Sequence, residues 1–299
     1  MGRIEILTDP EQELSSRHYE QLEAGNILLY PQMPLELPED DQRFLLRQRQ
    51  TEASYHKNIA YRPAQDTLTG AASGTDRREL RRILMAYSRQ AARVLTKLLP
   101  RYAAQSRLDY ASYRPFEEDG RKLPLHSRND LLHVDAFPTR PTNGDRILRF
   151  FTNLNPAQPR AWILAEPFDV LVERFAGEAG LLGAAKQNFP AWRRRLARLA
   201  AKLRLHRFSA PPYDAIMHRF HNFLKECQHF QETTPKVRVD FPPKSSWLVF
   251  TDMATHAAIG GQFALEQTFI VSRQAMVRPE LAPVSILERM SGAELTWRN

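Results

Sequence analysis

Two imidazoles and one carboxylate are the side chains of this 299-residue sequence best able to act together. His133 and Asp135 flank Val134, and residues two apart on an extended strand point to the same face. His256, just after the apolar run Trp247 to Thr251, is the third candidate. Two imidazoles and a carboxylate on one side of a metal leave the other coordination positions open, which suits non-haem Fe(II) and oxygen chemistry. The triplet His-x-Asp alone carries little information, and its setting carries more. A turn signal at 141–144 and a strand-like run from Asp145 to Asn155 follow it, while His256 trails a strand introduced by Phe241 to Ser246. The bland alternative makes all three hydrogen-bonded residues at strand ends. His218 and His221, three apart in a helical segment, have no carboxylate nearby and fit surface or packing positions. His126 precedes the metal strand and reads either as a substrate contact or as loop.

Those residues need strands to hold them. From Leu131 to Asn155 the pattern is β, and it returns at Lys236 to Phe241, Trp247 to Thr251 and Gln262 to Val271. Before them, Leu80, Ile83, Leu84, Tyr87, Ala91, Val94, Leu95 and Leu98 fall at helical spacing, so a helix is expected over about 77–104 with Asp76 as its N-cap. Residues 31–41 read as loop, and 68–76, rich in Gly, Ser and Thr, as a flexible connector. A helical insert is expected over about 167–232, with Ile216, Met217, Phe220, Phe223, Leu224 and Cys227 on one face of its Tyr213 to Gln228 part. The ligand-bearing halves lie on either side of this insert. One domain over 1–299 is therefore expected, with a helical N-terminal part over about 1–110 and an α+β fold whose sheet closes into a barrel or sandwich.

The bulk numbers exclude several classes. With 42% hydrophobic residues the chain can bury a sizeable core, yet no run of 18 apolar residues exists to cross a bilayer. Glu5 and Asp9 fall within the first ten positions, where a signal peptide needs an apolar stretch, so a cytoplasmic location is expected. A single cysteine, Cys227, excludes an internal disulfide and any cysteine-rich zinc or iron–sulfur site. The formal net charge of +8 favours an anionic partner without choosing among nucleic acid, acidic lipid and acidic sugar.

The arrangement resembles the Fe(II)/2-oxoglutarate-dependent dioxygenases. Within them, the segments Leu132 to Pro138 (LHVDAFP), Arg146 to Pro156 (RILRFFTNLNP) and Thr255 to Ala258 (THAA) resemble the family that hydroxylates 3-deoxy-D-manno-oct-2-ulosonic acid (Kdo), the acidic sugar joining lipid A to the core of lipopolysaccharide. That resemblance implies a double-stranded β-helix, a cupin-like jelly roll, flanked by helices. It implies His133, Asp135 and His256 as iron ligands, with 2-oxoglutarate and O2 as co-substrates. It also implies attack at carbon 3 of the Kdo of Kdo-lipid A, giving D-glycero-D-talo-oct-2-ulosonic acid, succinate and CO2.

One feature departs from the superfamily pattern. Many members hold the distal carboxylate of 2-oxoglutarate with a basic residue on the strand after the last histidine, but 262–271 has none before Arg273. Along Arg146 to Asn155 the residues Ile147, Arg149, Phe151 and Asn153 share one face and Arg146, Leu148, Phe150 and Thr152 the other. By likeness to the superfamily the Asn153 face points inward, and an inward arginine needs an anion. Arg149 is therefore expected to anchor 2-oxoglutarate, with Asn153 and Gln267 assisting and Arg273 in reserve. The alternative is a protein partner such as Glu266. Phe137, Phe150 and Phe151 are expected to line the site or simply to fill the core.

Arg114, Arg121, Lys122, Arg128 and Arg140 cluster in sequence around the metal strand and are expected, as a group, to read the acid and phosphates of the glycolipid. The basic amphipathic stretch 192–208 either lies on an anionic inner-membrane surface or packs with solvated arginines. Two rival readings remain. One is a 2-oxoglutarate oxygenase of protein side chains or nucleobases. The other is a non-catalytic basic module for anionic surfaces, although no nucleic-acid-binding motif is present.

Overall fold

The structure is a computed structural model and describes residues 3–48, 58–121, 123–187 and 211–297. Its core is two facing sheets. The larger, in spatial order, contains β1 (Ile4–Ile6), β2 (Ile27–Tyr30), β9 (Ser246–Phe250), β6 (Arg146–Asn153), β11 (Ala264–Val271), β5 (Ser106–Arg114), β3 (Ile59–Arg62) and β4 (Thr67–Thr69). The smaller runs β10 (His256–Gly260), β7 (Arg160–Leu164), β8 (Val237–Phe241). His133 extends it through an antiparallel bridge to His256. Between the sheets lie Phe151, Trp247 and Val249 from the larger and Trp162, Val239 and Phe241 from the smaller. The Trp247 ring stacks on Phe241 at 3.8 Å and meets Trp162 edge-on at 5.6 Å. Each such buried aromatic contributes on the order of 1.5–3 kcal/mol by leaving water. This is the double-stranded β-helix that the family resemblance implies.

Strand β6 shows why both faces of the large sheet are fixed. All eight of its residues are buried, so the chain must satisfy two environments at once. Its outer face packs Leu148 and Phe150 against helix α3 (Arg77–Leu98), whose Tyr87 hydroxyl lies 3.3 Å from Thr152 Oγ1. Arg146, on that face, is paired with Asp252 through Nε at 2.9 Å. Its inner face carries Arg149 and Phe151 into the space between the sheets.

Helix α3 begins where expected: the Asp76 carboxylate accepts from the backbone N–H groups of Arg78 and Glu79, both at 3.0 Å. It stops at Leu98 because Pro100 starts a separate short helix, α4 (Pro100–Ala103). The N-terminal part is less helical than the sequence suggests. Besides α1 (Ser16–Glu23) and α2 (Glu39–Arg47), it supplies β1 to β4 and most of β5. The expected connector at 68–76 overlaps β4, whose short hairpin with β3 supplies pairing that periodicity in three or four residues cannot reveal. The insert contains α5 (Phe168–Phe175), α6 (Leu181–Gln187), α7 (Pro212–Glu226) and α8 (Gln228–Thr233), and α9 (Pro283–Ser291) closes the described chain. No helix among the described residues is long and apolar enough to cross a membrane.

Candidate metal centre

The backbone brings the three candidate ligands together before any metal is considered. His133 and His256 exchange both backbone hydrogen bonds, N to O at 3.1 and 2.9 Å, as directly opposed antiparallel residues do. The Asp135 N–H donates to the Thr251 carbonyl at 2.8 Å, which ties the third residue to the end of β9. The ring nitrogens are assigned by their neighbours. His133 Nδ1 donates to the Leu131 carbonyl at 2.7 Å and His256 Nδ1 to the Ala254 carbonyl at 2.9 Å. A carbonyl can only accept, so both Nδ1 atoms carry the proton and both Nε2 atoms keep a lone pair for a metal.

The protonation states also suit ligation. Burial holds both imidazoles below their ordinary pKa, and therefore neutral. Burial would push Asp135 the other way, yet the Arg149 guanidinium holds its carboxyl well below the usual range, and therefore ionised. One ligand atom from each residue lies within 4.8 Å of the others, and His133 Nε2 is 3.7 Å from Asp135 Oδ1. Two neutral imidazoles and a carboxylate converging this way fit Fe(II). Trp162 stacks on the His256 ring at 4.9 Å and restricts its rotation.

A cavity of about 430 Å³ opens onto this centre. One side is cationic. Arg114, Arg140 and Arg149 line it, together with Tyr110, Phe137 and Glu266. Arg149 reaches Asp135 Oδ2 and Glu266 Oε2, both at 3.1 Å, and Arg114 reaches the same Glu266 oxygen at 2.8 Å. Arg140 pairs with Asp109 and lies over the rings of Phe137 at 3.9 Å and Tyr110 at 4.1 Å. Farther out, Glu118 accepts from Arg160 at 3.0 Å and faces Arg114 at 3.6 Å.

The sequence matches the family described as 3-deoxy-D-manno-oct-2-ulosonic acid (Kdo) hydroxylase over residues 6–294. The chain belongs to the Kdo hydroxylase family. Solved structures agree. The apo structure of the Kdo hydroxylase KdoO, a non-haem Fe(II) alphaketoglutarate-dependent dioxygenase, has a TM-score of 0.82 at 32% identity, covering 98% of this chain and 97% of that one. KdoO with cobalt(II) gives 0.83 at 32% identity, with 99% and 98% covered. KdoO with alphaketoglutarate and Fe(III) gives 0.82 at 31%, with 98% and 97% covered. No curated protein matches the chain by sequence. This Kdo hydroxylase is an Fe(II)/2-oxoglutarate-dependent dioxygenase.

Within this family member the structure sorts the residues singled out by sequence. It gathers His133, Asp135 and His256, and places Arg149, Arg114 and Arg140 around them. It corrects Asn153 and Gln267. Asn153 ends β6 beyond the cavity, where its Nδ2 donates to the carbonyls of Gln158, Phe241 and Pro242 at 3.0, 3.3 and 3.1 Å. Gln267 pairs across β11 with Phe150, so it faces the helices, and its Nε2 donates to Asp109 O and Thr268 O. Phe150 points the same outward way, whereas Phe137 and Phe151 line the cavity. Arg273 lies outside it, 3.4 Å from Thr296 Oγ1.

Arg121 and Arg128 border a different, shallow hollow. Arg121 faces Glu118 and lies over Phe116, while Arg128 forks onto Asp130. Lys122 lies outside the described residues, as does the segment 192–208. Trp162, Tyr110, Asn129 and Thr268 line the cavity without a sequence signal of their own. His126, His218, His221 and Asn222 also line it. The spacing of the last three marks one helix face, but only the fold shows that this face looks at the metal.

Proposed function

We propose that this enzyme hydroxylates carbon 3 of the Kdo sugar of Kdo-lipid A, giving D-glycero-D-talo-oct-2-ulosonic acid with succinate and CO2. The observation that carries this reading is the pair of histidines with outward lone pairs, set beside Asp135 at the foot of a cavity lined by arginines. In it, His133, Asp135 and His256 hold the iron. Iron with 2-oxoglutarate and oxygen supplies the oxidising power for C–H hydroxylation. The protein's task is to bind, orient and keep water away.

Charge supports a dicarboxylate co-substrate. Beside the centre, the buried arginines Arg114, Arg149 and Arg160 are paired with the buried carboxylates Asp135, Glu118 and Glu266. A divalent iron adds two positive charges, and a dianion restores balance in a medium where unpaired charge is costly. Arg149, with Arg114 beside it, is the anchor that geometry favours, because both face the cavity and share one counter-ion. Arg140, held flat between Phe137 and Tyr110, suits the carboxylate of the sugar. Phe137, Phe151 and Trp162 form the apolar lining.

We infer that the enzyme meets this glycolipid from the cytoplasm, at the inner-membrane face. The basic sequence of 192–208 agrees with that placement. Salt-sensitive binding to anionic vesicles, lost when Arg193, Arg194 and Arg195 are reversed in charge, is the corresponding test. For the reaction, succinate release should require Fe(II) and rise on adding Kdo-lipid A. Mass spectrometry of lipopolysaccharide from cells with and without the gene should show one added oxygen on Kdo. Turnover stimulated by peptide or DNA and not by Kdo-lipid A would overturn the substrate.

A further inference from the structure

The metal cavity has two chemically different sides. Against the arginines of β5, β6 and the loop after Asp135 stands helix α7, which presents His218, His221 and Asn222. No charged side chain of α7 borders this cavity. The helix is seated firmly on the metal strand. His221 Nδ1 donates to the carbonyl of Val134, between two ligands, at 2.7 Å. Lys225 Nζ donates to His126 O at 3.0 Å, and at the helix start Asp214 accepts from the N–H groups of Thr142 and Asn143 at 2.6 and 3.0 Å. The Gln231 amide of α8 adds bonds to both backbone groups of Leu132. Side chains on this face are thus fixed relative to the iron ligands.

We propose that His218 and Asn222 form the hydroxyl-reading side of the acceptor site, so that α7 selects the sugar while the arginines opposite take its acid group. This rests on the Kdo reading above and adds the residues that discriminate among acidic sugars. Asn222 Oδ1 is shielded from solvent and has no hydrogen-bond partner within the protein, so it is an acceptor in place for a ligand donor. A sugar hydroxyl is such a donor, whereas an ionised carboxylate offers none. His218 lies nearly parallel to His221, with ring centroids 6.3 Å apart. Burial lowers its pKa, aided by His126, so it meets the sugar as a neutral imidazole able to donate and accept. Both residues also border a neighbouring cavity of about 510 Å³, so they stand on the ridge that an extended acceptor must pass.

The test pairs enzyme variants with trimmed substrates. Wild type, Asn222→Ala and His218→Ala, loaded with Fe(II) and 2-oxoglutarate, are assayed on Kdo-lipid A and on analogues each lacking one Kdo hydroxyl. Losing one hydrogen bond to a buried amide should cost the wild type roughly tenfold in kcat/KM on one analogue. Asn222→Ala should show a similarly raised KM for the full substrate, with no further loss on that analogue and an unchanged KM for 2-oxoglutarate. Equal losses across the analogues in wild type and both variants would overturn the assignment. So would an unchanged KM for Kdo-lipid A in both variants. A wild type that oxidises no Kdo substrate would instead overturn the Kdo reading, a distinct result. Manganese(II) affinity, measured on each protein, separates a displaced metal strand from a lost substrate contact.

Discussion

Arg149 lies 3.1 Å from Asp135, so the candidate iron ligand and the candidate co-substrate anchor are one ion pair. The pair fixes the carboxylate as an anion ready to ligate and keeps a guanidinium on the cavity wall, where it would meet the free carboxylate of the co-substrate. Replacing Arg149 by Ala should therefore raise the KM for 2-oxoglutarate by tenfold or more and the Fe(II) requirement much less. Initial rates of succinate formation over a grid of iron and 2-oxoglutarate concentrations measure both. An unchanged 2-oxoglutarate requirement would remove Arg149 from that role.

Glu266 sets the strength of this anchor. One of its oxygens is shared by Arg149 and Arg114, and the other accepts from Thr268 Oγ1 at 2.7 Å. The two arginines outweigh burial and hold its pKa below the ordinary value, so it is charged. Glu266→Gln leaves the shape and removes one negative charge from the cavity wall. At a few ångströms and an effective dielectric near 20, that is a few kcal/mol of repulsion relieved, part of it screened. We expect 2-oxoglutarate to bind about tenfold more tightly to the manganese-loaded variant by calorimetry. Weaker binding would mean that Glu266 orients the arginines more than it neutralises them.

The metal centre was legible in the sequence because its spacing is local in two of three ligands and because strand alternation is rigid: Ile147, Arg149 and Phe151 face inward together. The same rule misplaced Asn153. It shares their face, but alternation says nothing of where a strand leaves the cavity, and Asn153 is past its rim. Gln267 was placed without a register. Its partner Phe150 shows that it faces outward, and pairing across strands is not readable from one chain. The short strands β1 to β4 went unseen because three or four residues carry too little period. His218 and His221 read as a surface or packing pair because the metal strand that His221 bonds, at Val134, is far away in sequence.

If Asn153 is structural, its removal should cost stability and spare co-substrate binding. Its amide nitrogen serves three carbonyls, and its Oδ1 accepts from the Asn155 N–H at 3.1 Å. Asn153→Ala leaves these buried groups unpaired, at about 2–4 kcal/mol in all. Urea denaturation should show that loss while the KM for 2-oxoglutarate stays within twofold of wild type. A tenfold rise in that KM, with stability intact, would return Asn153 to the site.

Metal binding should be visible as stability. The ligands are held in place by the bridge between His133 and His256, so the metal adds to a formed fold rather than creating it. A divalent ion at a hundred times its dissociation constant should stabilise the wild type by about 2.7 kcal/mol. Chelation should reverse this, and Asp135→Ala should show no metal-dependent rise in Tm while retaining its far-ultraviolet dichroism. A rise in Tm of equal size in that variant would place the metal elsewhere.

Asp214, which fastens α7 to the turn before β6, should make stability depend on pH. Burial raises its pKa to about 6, although the N–H groups of Thr142 and Asn143 pull it down in part. In the unfolded chain it titrates near the model value of 3.8, so between these values the folded state holds the extra proton. The associated stability is complete below about pH 4 and is lost as pH rises through 6, by about 3 kcal/mol, with no further change from this group above that. Asp214→Asn cannot titrate. The difference in urea midpoint between wild type and this variant should therefore move against the wild type from pH 4.5 to pH 7, and a difference independent of pH would show that Asp214 is ionised in the fold throughout.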